Sequence, residues 1–133
     1  YGHAKKAIRE DVESAVWFAK NELMPRHRKL SITVHFIKDL RKKEGIHGDV
    51  LDEDDREYTI RVDSSQARIE LISTILHEMV HVYQYATNKM TQPTGDIIVY
   101  EKAEYAWDMP YKDKPWELEA HTLERDLYAK FYK

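Results

Sequence analysis

The 133-residue chain contains no cysteine. Disulfides are therefore excluded, and so is any thiolate-ligated metal; a metal site here has to be built from histidine and carboxylate. Long apolar runs are missing too. No stretch approaches the roughly 20 residues of a membrane span, so no membrane partner is expected, and Tyr1-Gly2-His3 does not read as the start of a signal peptide. Lacking an initiating methionine, the chain reads as a trimmed or processed piece of a longer one, with a cytoplasmic setting expected. A strong excess of one charge is also absent: the formal net charge is −3, which gives no general attraction to nucleic acid. The short cluster Arg41-Lys42-Lys43 reads as a solvated turn rather than a DNA-binding patch. With 42% hydrophobic and 34% charged residues, there is material for one domain, residues 1–133, with one core.

Against these absences stands the run His77-Glu78-Met79-Val80-His81. On a helix, residues four apart share a face, so the two imidazoles can grip one tetrahedral Zn²⁺, with Glu78 about 100° round the helix beside it. The flanking stretch from Thr74 to Tyr83 keeps charge away from every position except the glutamate, as a buried metal helix requires.

The rest of the chain reads as a frame for that helix. Ala4, Ile8, Val12, Ala15, Val16, Ala19 and Leu23 recur at helical spacing, and Pro25 ends the segment. Leu30, Ile32, Val34 and Phe36 alternate with Ser31, Thr33 and His35 as in a half-buried strand, which turns His35 to the other face. Gly45 and Gly48 bracket a turn. Tyr58, Ile60 and Val62 form the next strand, paired with the segment around Val50. The acidic run Asp52-Glu53-Asp54-Asp55 between them lacks the spaced oxygens and glycine of a calcium loop and reads as a solvated hairpin tip.

Asp63-Ser64-Ser65 offers caps for the motif helix, expected from about Gln66 to Asn88. Ile69, Ile72, Leu76, Met79 and Tyr83 make its apolar face, widened by Leu71, Ile75 and Val82. Ser73, His77, His81, Gln84 and Asn88 share the remaining polar stripe, as a cleft-lining surface would. The connection from Met90 to Lys114 is long enough to carry strands of its own, with Val99, Glu101, Ala103, Tyr105 and Trp107 alternating with Tyr100 and its successors as a hairpin beside the cleft.

A catalytic zinc needs a third protein ligand. Candidates lie in Pro115-Trp116-Glu117-Leu118-Glu119-Ala120-His121, where Pro115 suits a helix's first turn and Trp116, Ala120, Leu123, Leu127 and Phe131 form the inward stripe. On a helical wheel Glu119 falls on one flank, Glu117 slightly farther on the other, and His121 farthest out. The wheel thus favours Glu119 narrowly, with Glu117 and His121 as alternatives. Tyr100, Tyr105 and Tyr111 are candidate donors to an oxyanion, and nothing in the sequence chooses among them.

These motifs, Leu76-His77-Glu78-Met79-Val80-His81-Val82-Tyr83-Gln84-Tyr85 followed by an aromatic-rich linker and Pro115-Trp116-Glu117-Leu118-Glu119-Ala120, resemble the small HExxH zincin metallopeptidases encoded by phages and prophages. The layout is gluzincin-like. The resemblance extends distantly to ImmA/IrrE-type peptidases, although no helix-turn-helix is present here, and to SprT-like proteases, although the His-Gly-rich segment expected after the motif is missing. In gluzincins the third ligand is a glutamate on a later helix, often followed by alanine, which Glu119-Ala120 matches. The resemblance implies an α+β, zincin-like domain in which a short antiparallel sheet packs on the central motif helix between N- and C-terminal helices. It implies peptide hydrolysis with Zn²⁺ held by His77, His81 and Glu119, and a metal-activated water deprotonated by Glu78. The expected partner is a peptide or protein substrate in a bacterial or phage-infected cell. The alternatives are an SprT-like protease, a non-catalytic zinc-stabilised interaction module with its fourth position filled by His121, and a metal-free scaffold.

Overall fold

The computed structural model describes residues 5–27, 29–54 and 56–132. Helix α1, Lys6–Leu23, follows from the three- and four-residue spacing of its apolar side chains, which buries Val12, Ala15 and Ala19. Ala4 and Asp55, which the sequence reading assigned to this helix and to the acidic tip, lie outside the described residues. Strand β1, Ser31–Ile37, alternates as expected, with Phe36 buried and His35 exposed. A short helix not foreseen, α2, Leu40–Glu44, carries Arg41, Lys42 and Lys43 on its exposed surface. It is bounded by left-handed residues, Asp39 at φ 58° and Gly45 at φ 76°; the latter is a conformation glycine takes without a Cβ clash.

Strands β2, Gly48–Asp52, and β3, Glu57–Asp63, form the foreseen hairpin, with Val50 opposite Ile60. The sheet order is β1-β3-β2, with β1 parallel and β2 antiparallel to β3. The expectation of a purely antiparallel sheet is thus corrected for this first sheet, because the chain passes through α2 and β2 before β3 returns alongside β1. It follows that β3 is central and β2 an edge. At Gly48 an added Cβ would stand 2.9 Å from both the Arg61 carbonyl oxygen and Thr74 Cγ2. Glycine there lets the edge strand lie directly against the following helix.

That helix is α3, Arg68–Ala86. Its N-cap is Ala67, with no side-chain cap; Asp63, expected as a capping residue, instead accepts the backbone N–H of Ser65 at 2.8 Å and of Arg41 at 3.0 Å, closing the turn that leads into the helix. Ile69, assigned to the apolar face, is exposed at the helix's first turn, whereas residues 75–82 are buried without interruption. A helix covered on all sides is a central helix. After it, β4 (Met90–Thr94), β5 (Ile97–Tyr100) and β6 (Ala103–Ala106) form a second, antiparallel sheet. The alternation read through Val99 to Trp107 is broken at Glu101-Lys102, whose φ values of 48° and 71° make the two-residue turn of the hairpin. A single 3-10 turn, Tyr111–Asp113, leads to α4, Pro115–Phe131, with proline in its first turn.

The architecture is a single α+β domain. The main core gathers Val12, Ala15 and Ala19 of α1, Ile60 and Val62 of β3, the apolar residues of α3, and Ala120 and Leu127 of α4. A smaller cluster of Met90, Ile98, Tyr100 and Trp116 seats the second sheet against the start of α4. Among the described residues no helix is long and apolar enough to cross a membrane.

Candidate metal centre

Helices α3 and α4 run antiparallel, since Ser73 meets Glu124 while His81 meets Glu117. Two polar stripes face each other along this seam. From α3 come Ser73, His77, His81 and Gln84; from α4 come Glu117, His121 and Glu124, spaced i, i+4, i+7, the period that holds residues on one side of a helix. His77 Nε2 lies 3.0 Å and His81 Nε2 3.1 Å from the same oxygen, Glu117 Oε1. One ligand atom from each of these three residues lies within 4.8 Å of the others. Tetrahedral zinc with Zn–N and Zn–O bonds near 2.1 Å separates its ligand atoms by about 3.4 Å, so each of the two N···O separations would have to widen by only a few tenths of an ångström to admit the ion.

Two histidines and a carboxylate leave one of four positions for a water or substrate. Glu78 lies buried beside them, 6% exposed. Burial pushes its carboxyl above the usual range, against the pull of the His81 and His77 charges. In the protein without a cation, burial disfavours protonated His77, but hydrogen bonds to Glu117 and Glu124 outweigh it and hold the imidazole up at about 10. Burial would raise Glu117, yet the two imidazoles hold it well below the carboxylate range. The cluster thus stores positive charge as protons, which a divalent cation at the same place would displace.

Both histidines are held from behind. His77 Nδ1 is 2.8 Å from Glu124 Oε1, and Ser73 Oγ donates to the other oxygen of that carboxylate. His81 Nδ1 is 2.7 Å from Gln84 Oε1. Such partners orient a ligating imidazole. Glu124, and the roles of Ser73 and Gln84, escaped the sequence reading. The available signal was the i, i+4, i+7 recurrence of ligand-type residues on one side of α4.

The assignment of Glu119 as third ligand is corrected by its position. Its Oε1 accepts from Gln84 Nε2 at 2.9 Å and its Oε2 pairs with Lys89, behind Gln84 and away from the two Nε2 atoms. Glu117 and Glu119 sit on opposite flanks of the apolar stripe; with Trp116 and Ala120 in the core, the flank turned to the histidines is that of Glu117, His121 and Glu124. His121, the other alternative, sets its ring tilted at 52° and 4.5 Å from that of His77, with Nδ1 3.6 Å from Glu124 Oε1; it stands outside the His77–His81–Glu117 group but forms with His77 and Glu124 a second group whose ligand atoms lie within 4.8 Å of one another. Of the three tyrosines, Tyr111 alone reaches the centre: its hydroxyl lies 3.0 Å from Glu117 Oε1 and 2.9 Å from His121 Nε2. Tyr100 is buried against Trp116, and Tyr105 packs edge-on to the same ring at 5.7 Å.

Space opens on both sides of His77, Glu78 and Tyr111. One hollow of about 500 Å³ runs past Gly48, Gln66, Ser73 and Thr74. The other, about 330 Å³, is walled by Val50, Tyr85, Met90, Trp107 and Trp116. A larger cavity, about 730 Å³ between α1 and β1, shares no lining residue with either, so volume and chemistry do not coincide, and the chemistry locates the candidate site. No protein-family model, curated protein or solved structure matches this chain.

Proposed function

We propose that the protein is a zinc-dependent metallopeptidase of zincin type, with His77, His81 and Glu117 as ligands and Glu78 as general base. The observation that carries this reading is the convergence of both Nε2 atoms on one Glu117 oxygen, with a buried glutamate next in sequence to the first histidine. A zinc ion bound there supplies Lewis acidity, polarising a scissile carbonyl and lowering the pKa of a water to about 7. Glu78, whose proton affinity is raised by burial, takes the proton from the attacking water and passes it to the departing amine. Tyr111, hydrogen-bonded at the centre and half exposed to the cleft, donates to the oxygen on which negative charge develops.

An extended peptide is the substrate form that the cleft favours. Strand β2 is an edge pressed against α3 by Gly48, and its free side can pair with a peptide backbone. The Tyr58–Val62 segment has strands on both sides and so offers no free edge for such pairing. Filling the fourth position from the protein would need His121, whose Nε2 is held by the Tyr111 hydroxyl and whose Nδ1 faces Glu124, so a purely structural zinc module would first have to break those contacts.

The test combines elemental analysis with peptide digestion. Dialysed wild type is expected to hold about one zinc per chain and to cleave unfolded protein. Glu78→Gln is expected to keep the zinc and lose about 10²–10⁴-fold in turnover. A folded wild type that takes up no zinc would overturn the reading.

A further inference from the structure

Gln84 is fully buried one turn beyond His81, and its amide is committed on every side. Nε2 lies 2.9 Å from the Trp116 carbonyl oxygen and 2.9 Å from Glu119 Oε1, while Oε1 lies 2.7 Å from His81 Nδ1. Both neighbours of Nε2 are acceptors only: one is a carbonyl, the other a carboxylate paired with Lys89. Flipping the amide would set oxygen against oxygen, so chemistry alone orients it. With Oε1 turned to the imidazole, Nδ1 has to carry a hydrogen. The other ring nitrogen, Nε2, faces the Glu117 carboxylate and carries a hydrogen too in the protein without a cation; that hydrogen is the one a cation would replace.

We propose that Lys89, Glu119 and Gln84 form a positioning relay that presets His81 in its Nδ1-protonated form and so offers Nε2 to a cation at the His77–His81–Glu117 centre. The relay deepens the metallopeptidase reading and rests on its metal site. Lys89 lies just before β4 and draws its carboxylate partner from the start of α4, so the relay ties the second sheet to the motif helix. None of its members lines either hollow of the cleft, so they act through His81 and not on substrate. The two imidazoles are held differently: His77 faces a carboxylate, which raises ring basicity, whereas His81 faces a neutral amide, which orients without adding charge.

The experiment is zinc affinity by competition with a chromophoric chelator, together with ¹⁵N NMR of the histidine nitrogens above the titration of the rings in zinc-free Glu117→Ala protein, where no Glu117 carboxylate competes for Nε2. Gln84→Met is expected to weaken zinc binding by about 10–100-fold. Glu119→Gln, whose new amide lets Gln84 turn either way, should fall between that and wild type, and Lys89→Met should weaken binding less, with Lys89→Arg restoring it. In the NMR spectrum His81 of the Glu117→Ala protein should be protonated at Nδ1, and adding Glu119→Gln should give a mixture of tautomers. Wild-type zinc affinity in Glu119→Gln and Lys89→Met, both nearer the surface than Gln84, with an unchanged His81 tautomer when either is added to Glu117→Ala, would overturn the relay. A wild type that binds no zinc removes the metal reading, and the relay is then decided by the NMR: an Nδ1 hydrogen held in Glu117→Ala and lost when Gln84→Met or Glu119→Gln is added supports it, and any other pattern overturns it.

Discussion

The two seams that α3 makes with its neighbouring helices differ in kind. In the core shared with α1, the contributing residues are apolar: Val12, Ala15 and Ala19 gather with Ile72, Ile75 and Met79. Against α4, the same helix sets Ser73, His77, His81 and Gln84 opposite Glu117, Glu119 and Glu124. Apolar burial is non-directional and scales with area, so the first seam supplies cohesion. A polar seam works only in one register, because each buried donor needs its own acceptor. Among the described residues no buried side-chain nitrogen or oxygen lacks a partner, so this register satisfies every one of them. One seam holds the helix in place, and the other sets which atoms face each other.

Opposite responses of the two seams to truncation would sharpen that contrast most. Ile75→Ala, at a fully buried site, is expected to cost about 2–5 kcal/mol in urea denaturation while leaving zinc per chain unchanged. Glu117→Ala is expected to lose zinc on dialysis, and Glu119→Ala to retain it at saturating zinc. Equal zinc loss in Ile75→Ala and Glu117→Ala would erase the distinction. Next in size, zinc at about 1,000 times its dissociation constant should stabilise the wild type by about 4 kcal/mol, a gain that a chelator abolishes and Glu117→Ala never shows. Chelator-independent unfolding of the wild type would remove the metal from the polar seam.

The smallest expected effect lies outside both seams. Burial would raise the Asp63 carboxyl, but backbone hydrogen bonds from Ser65 and Arg41 outweigh it and hold it below its ordinary value. A carboxyl lowered on folding contributes stability that is complete above its unfolded pKa of about 3.9 and is lost as the pH falls through the folded value. Asp63→Asn should therefore flatten the acid limb of the urea midpoint below about pH 4 relative to wild type. An acid limb identical to that of the wild type would show that this turn plays no part in acid unfolding.

Periodicity made most elements legible. Helical spacing marked α1, α3 and α4, and alternation marked β1 and β3, because burial on one face imposes its period on the chain. The parallel pairing of β1 with β3 was not legible, since alternation is the same in either orientation. Nor was the turn at Glu101-Lys102, which takes two positive φ angles without a glycine to announce it.

By itself the sequence determined which residue types a metal site could use and half of the candidate cluster. Without cysteine, any metal ligation would fall to histidine and carboxylate, and the four-residue spacing of His77 and His81 puts them on one face of any helix that contains them. The choice between Glu117 and Glu119, the partnership of Glu124 with His77, and Tyr111 as the tyrosine at the centre were decided only in three dimensions. The physical reason lies in the helix itself. A wheel shows which residues flank an apolar stripe, but both flanks are equivalent until a second helix packs against one of them, and that packing turned α4 so that Glu117 meets the histidines and Glu119 meets Gln84 and Lys89.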